Sequence, residues 1–440
     1  MVITRSKVEP VQELENRLIA KLEKKHGKSV QELYQERNKR LVDTVALKVP
    51  DRVSVDVAFG YFPAKYLGIP TAAAYYDYDL WLDATMKTAA DFDPDSIWYI
   101  NGFSSGKTNE DIDPKSMRWP GHGVERGHQA IEGEWMKANE WDAYFEDPGD
   151  YLLRVYLPRV AGVMTPFKDL PKLSTLGFGY RGAVALGEAL ATHPEIVTAI
   201  QQLQKAGEES LKWRGKTMEF NKHVEALGYP GNQGMGAGAA FDQISDNIRG
   251  MAGTMLDMYR QPDKLFKYMD RTQERTLARI AAMPQRTDSP RAFIALHRGS
   301  DGFMSLKQFE KFYWPYLKKS LLALIDKGIV PSVFFEGKWT DRLEYLAELP
   351  PGKVLGHFDI TDMFKAKEVL KGIMCLRGNV PGSILGMGSV QDVKDYCKKL
   401  IDVVGKDGGL IVSHGVVPDE AKPENLHAMI DFTKEYGVYR

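Results

Sequence analysis

The chain has 440 residues, 43% of them hydrophobic and 27% charged, with a formal net charge of −1. These values suit a soluble globular protein with a large core, and the balanced charge gives no electrostatic footprint for nucleic acid or an anionic membrane. No apolar run approaches the roughly 20 residues of a membrane helix. The charged start MVITRSKVEPVQELENRL is unlike a secretory signal, so a cytoplasmic protein is expected. Cys375 and Cys397 are the only cysteines, which excludes a disulfide framework and fits a reducing compartment.

Residues 1–48 are rich in Glu, Lys, Arg and Leu, with Leu14, Leu18, Ile19 and Leu22 at helical spacing. They predict a helical arm packed on the outside of a main body at 49–440. VSVDVAFG (53–60) alternates like a strand, YYDYDLWLDATMKTAADF reads as helix, and SIWYING as a further strand. Residues 103–148 are heavily punctuated by Gly, Pro and Asp and predict a long excursion over one end of the fold. His122 and His128 lie there, as surface residues or as substrate contacts. Residues 190–285 read as mainly helical around a glycine-rich interruption, LGYPGNQGMGAGAAFD. Its GNQGMG resembles a phosphate-binding loop, but the helix-like EFNKHVEAL precedes it where that motif needs a strand, so a hinge or cover is the better reading.

From residue 290 the alternation becomes regular. RAFIALHRG, VPSVFFEG, KVLGHFDI, GIMCLRGN and GLIVSHGV are each followed by a helical pattern. Consecutive strand–helix units predict an α/β fold with a parallel sheet. Their spacing suits a closed (β/α)₈ TIM barrel with an N-terminal helical extension and a long insertion over the C-terminal rim.

Four candidate metal ligands fall in these strand patterns: Glu336, His357, Cys375 and His414, separated by 21, 18 and 39 residues. If each ends its strand, the four converge on one rim, and their donor types suit Zn²⁺. Each has another reading. Glu336 could pair with Arg298, His357 with Asp359 could form a general base and its orienting acid, Cys375 could be a small buried hydrophobe, and His414 could cap the rim. His297, at the end of IALHRG, is a substrate contact or a substitute ligand.

The segment from about 290 to 437 resembles the uroporphyrinogen decarboxylase superfamily, particularly its corrinoid-dependent methyltransferase branch. The residues that carry the resemblance are FFEG, HFD, RGNVPGSIL with VQDVKDYCKKLID, and GLIVSHGVVPDEAKPENLHAM; VPDRVSVDVAFGYFPAKYLGI near residue 50 is similar to that family's opening. The family's decarboxylases open with an arginine-rich segment, whereas residues 53–75 here carry only Asp56 and Lys65 among aromatic, apolar and small residues. Its thiol-methylating members have His-x-Cys where this chain has Phe334-Phe335-Glu336, and a Cys where it has His414. The resemblance therefore implies an aromatic O-demethylase: a zinc-dependent methyltransferase that takes the methyl of a methoxylated aromatic and passes it to the cobalt(I) of a corrinoid (cobalamin) on a partner protein. Glu336, His357 and Asp359 are then the expected catalytic residues. Tyr76, Trp81, His297 and Trp339 are the expected substrate contacts, with Tyr75 and Tyr78 nearby. A homodimer is admitted, and other methyl donors (a methylamine, a thioether, methanol) or a lyase-type or non-catalytic barrel are the rival readings.

Overall fold

The structure is a computed structural model, and it describes residues 8–97, 104–231, 238–288 and 290–440. Ten strands lie among the described residues: β1 (Ser54–Val57), β2 (Ser96–Ile97), β3 (Met117–Pro120), β4 (Gly123–Val124), β5 (Gln129–Ala130), β6 (Arg291–Leu296), β7 (Val330–Phe335), β8 (Leu355–Phe358), β9 (Cys375–Val380) and β10 (Leu410–His414). Seven form one sheet in the order β2-β1-β10-β9-β8-β7-β6, with every pairing parallel. The first and last strands in sequence lie side by side, Ser54 opposite Ile411, which curls the sheet on itself. Among the described residues β2 and β6 are not paired, so the sheet is open where a closed eight-stranded barrel was expected. The chain leaving the long helix Pro194–Ala226 passes between these two edges. The Tyr229 hydroxyl donates to Asp93, just before β2, and Arg291 at the start of β6 donates to the Gly231 carbonyl. All of the glycine-rich GNQGMG after Gly231 and most of SIWYING lie outside the described residues.

Strands buried on both faces read as near-continuous apolar runs, and β1, β8, β9 and β10 are buried along their whole length. The polar exceptions face one another. Arg377 of β9, 0% exposed, donates to Ser332 Oγ of β7 at 2.5 Å and lies 3.6 Å from Asp56 of β1. Burial pushes the Asp56 carboxyl up to about 6, with Arg377 pulling against the rise.

The amino-terminal arm forms two helices, Val11–His26 and Val30–Val45, the second opened by a Ser29–Glu32 capping box. It does not merely pack on the outside. Leu41 and Val45 join Val330, Leu355, Cys375 and Ile411 in a separate apolar cluster, so the second helix seals the sheet at the amino ends of its strands. Arg40 reaches Asp95 beside it, and Arg52 makes a second pair with the same carboxylate. Burial would raise the Asp95 carboxyl, but these two guanidinium groups outweigh it and hold the group well below the usual range. The excursion expected at 103–148 contains the small sheet β4-β3-β5. No helix among the described residues is long and apolar enough to cross a membrane.

Candidate active site at the carboxyl ends of the strands

The groups that can do chemistry gather where β6, β7 and β8 end. The helical segment 240–249 places Asp242 and Asp246 four residues apart, hence on one face. Asp242 is buried and accepts from the backbone N–H groups of His297 (2.9 Å) and Arg298 (3.1 Å) and from the Tyr313 hydroxyl (2.8 Å), so it fixes the turn that follows β6. Burial pushes its carboxyl up to about 6 against those donors. Asp246 lies one helical turn further on. Its Oδ2 is 2.6 Å from His297 Nδ1, and its Oδ1 is 3.1 Å from Arg298. A carboxylate can only accept, so Nδ1 carries a proton and Nε2 is the ring nitrogen that faces Glu336, 3.8 Å from Oε2.

These contacts set the charges. The hydrogen bond to Asp246 raises the His297 pKa, with burial opposing, which favours the imidazolium. Burial raises the Glu336 carboxyl; His297 opposes that shift and Asp359 adds to it. Burial also raises Asp359, against the N–H of Gly337 that donates to its Oδ2 at 3.1 Å. Glu336 remains half exposed, with 52% of its side chain open to solvent, so it can meet a molecule arriving at the mouth. The result is an imidazolium between two carboxyl groups, the outer one reluctant to ionise. Such a group is suited to delivering a proton. Asn379 of β9 ties the neighbouring loop by donating to the carbonyls of Asp359 and Thr361.

The four expected zinc ligands do not assemble. Cys375 begins β9 instead of ending it, so it lies in the apolar cluster at the opposite end of the strands from Glu336. Burial pushes its thiol far above the usual range, whereas a metal ligand must be a thiolate. His357, inside β8, donates from Nε2 to the His414 carbonyl at 2.7 Å. His414 Nε2 accepts from the Ala58 N–H at 2.9 Å, so neither Nε2 offers a lone pair to a metal. Burial lowers both pKa values, His414 to about 3, with Arg377 lowering each further; both rings are neutral. Among the described residues no group of three or more His, Cys, Asp or Glu side chains could hold a metal ion. The residues present do not fit a zinc centre. His357 is likewise no surface base, since it is 1% exposed and turned into the sheet interior. Asp359 sits at the rim and shares no hydrogen bond with it.

The aromatic substrate contacts also need correction. Trp339 is 0% exposed, walled in by Phe309, Tyr313 and Phe335, and its indole N–H donates to the Glu336 carbonyl; it braces the Glu336 turn and offers no face to a ligand. Trp81 is buried behind Tyr61. Tyr76 holds the small sheet, its hydroxyl donating to Glu110 and accepting from Trp119. Tyr78 donates to the Lys216 carbonyl. The Tyr75 and Tyr61 hydroxyls are 3.0 Å apart, and Tyr61 in turn meets His128 Nδ1 at 2.8 Å, so His128 pins the small sheet to the rim; His122 stacks on Trp119. Arg298 turns to Asp246 and Ser245 and makes no ion pair with Glu336. Asp242 and Asp246 were missed in the sequence, although AFDQISD shows two acids at helical spacing.

Residues 197–436, more than half of the chain, match the model of the family described as uroporphyrinogen decarboxylase (URO-D), and the chain belongs to that family. Among solved structures it is similar to a methyltransferase from Methanosarcina mazei, with a TM-score of 0.55 and 14% identity over 91% of this chain and 98% of that one; at this identity the likeness is one of fold. No curated protein sequence matches.

Proposed function

We propose that this chain is a methyltransferase that passes a methyl group from a small donor to the reduced cobalt of a corrinoid held by a partner protein, and that the donor is a methoxylated aromatic. Family membership and the fold shared with a methyltransferase support the class of reaction. The observation that carries the donor reading is the Asp246–His297–Glu336 chain at the mouth. A phenyl methyl ether releases its methyl only if the oxygen left behind is neutralised. The methyl carbon leaves the ether oxygen for the cobalt, which rises from the +1 to the +3 level, and the oxygen takes a proton to give the phenol. Glu336 is the proton donor in this reading, His297 holds and resupplies that proton, and Asp246 fixes the imidazole. This acid does the work first assigned to zinc.

The paired carboxyl groups of Glu336 and Asp359 also favour a second reading, a methylated ammonium donor attracted as a cation. Anaerobic incubation of the protein with reduced corrinoid on its carrier and a panel of methyl donors, followed by the absorbance of methylcobalt, separates the two. Transfer from methoxybenzenes with release of the phenol is expected. Transfer from amines or thioethers alone would replace the ether reading, and no transfer from any donor would overturn methyl transfer itself.

A further inference from the structure

The helix Tyr180–Thr192 has two unlike faces. Leu186 and Leu190 pack inward on a satellite core that includes Val163, Phe167 and Ile196. Outward, Tyr180 is 76% and Val184 51% exposed, and ahead of them Phe178 stands fully in solvent. Phe178 is carried by a turn in which Gly177 and Gly179 take φ of 84° and 73°, a region open to glycine, so the ring is held out by the backbone.

Tyr180, Val184, Gly187 and Ala191 follow one another at steps of four, three and four, the spacing of a helix–helix seam. Arg181 and Glu188 are the only charged residues from 173 to 192. They are seven apart and therefore share one flank of that seam. A two-fold axis perpendicular to a helix maps each flank onto itself with its direction reversed. It sets Arg181 of one copy opposite Glu188 of the other, and does so twice. A parallel partner would instead face this charged flank with the other one, which carries Ala183 and Leu190. Gly187 and Ala183 leave room for close approach of the backbones.

We infer that the Tyr180–Thr192 helix is a self-association surface, on which a second copy of this chain docks antiparallel through Tyr180, Val184, Gly187 and Ala191 and is clasped by reciprocal Arg181–Glu188 pairs. The apolar seam supplies most of the affinity, since exposed ion pairs contribute little each; the pairs select orientation and partner. A closed two-fold dimer leaves no seam exposed for further growth.

Light scattering coupled to size-exclusion chromatography of the full chain tests this. The wild type is expected to be a dimer and Val184→Glu a monomer with an unchanged circular dichroism spectrum. Arg181→Glu and Glu188→Arg, at exposed positions that do not bear on folding, are each expected to weaken dimerisation roughly tenfold, because each replaces two attractions with two repulsions. The double reversal Arg181→Glu/Glu188→Arg is expected to restore it. A monomeric wild type, a Val184→Glu dimer as tight as wild type, or a double reversal no better than the singles would overturn the inference, including in favour of a different protein partner on this face.

Discussion

The two ends of the same strands are built for opposite purposes. At the amino ends, Leu41 and Val45 of the arm close over Val330, Leu355, Cys375 and Ile411, and the buried carboxylate nearby is paired with cations, as Asp95 is with both Arg40 and Arg52. At the carboxyl ends, Asp242, Asp246, His297, Glu336 and Asp359 crowd together with fewer cations than carboxyl groups, and the carboxyls of Asp242, Glu336 and Asp359 are shifted toward the protonated form. The first arrangement lowers the free energy of the folded chain. The second raises it locally, in exchange for protons held at the mouth. Distance along a strand, a few residues at most, separates the two.

Substitutions at either end should therefore fail in different ways. The largest effect is expected from Glu336→Gln, which keeps the shape and removes the proton: methyl transfer from an ether should fall by about a hundredfold or more, with the melting temperature unchanged. A loss of stability with retained turnover would place Glu336 among the structural residues. Leu41→Ala should do the reverse. Truncating a fully packed side chain costs about 2–5 kcal/mol, read as a lower urea midpoint, while turnover per folded molecule is kept.

A subtler separation comes from pH. The His297 pKa is raised in the folded state, so its pairing with Asp246 stabilises the fold fully below the ordinary imidazole pKa, and that contribution is lost as pH rises through the raised value. Turnover that depends on the imidazolium should fall over the same interval, and Asp246→Asn should move that alkaline limb to lower pH. An unmoved limb would remove His297 from the proton path. The smallest effect is expected for Cys375→Ala: about 1 kcal/mol of stability from lost packing, with turnover and metal content as in the wild type. A large loss of activity there would reopen the metal reading.

Parallel strands followed by helices were legible because both faces of such a sheet are buried, which writes unbroken apolar runs into the sequence. For that reason β6, β7, β8 and β10 fall where RAFIAL, VPSVFF, LGHF and LIVSH place them. The strand in GIMCLRGN was legible too, but Cys375 was set at its end. It begins β9 instead, and the strand runs on through Arg377 to Val380, because Asp56 and Ser332, far away in sequence, make a buried arginine tolerable. That one shift moved Cys375 from the rim to the floor. The aromatic residues were misjudged for a related reason: a Trp or Tyr near the rim looks available until its N–H or O–H is found to be spent on a backbone carbonyl or a carboxylate, as for Trp339 and Tyr76.

The amino-acid sequence by itself determined the alternation of strand and helix, the family, and the presence of acids and histidines near strand ends, since these depend on local pattern and residue type. Only the tertiary structure decided which of them meet. His297 finds Asp246 across 51 residues, while His357 and His414 spend their Nε2 atoms on backbone groups, because hydrogen bonds form between neighbours in space and sequence spacing does not record them.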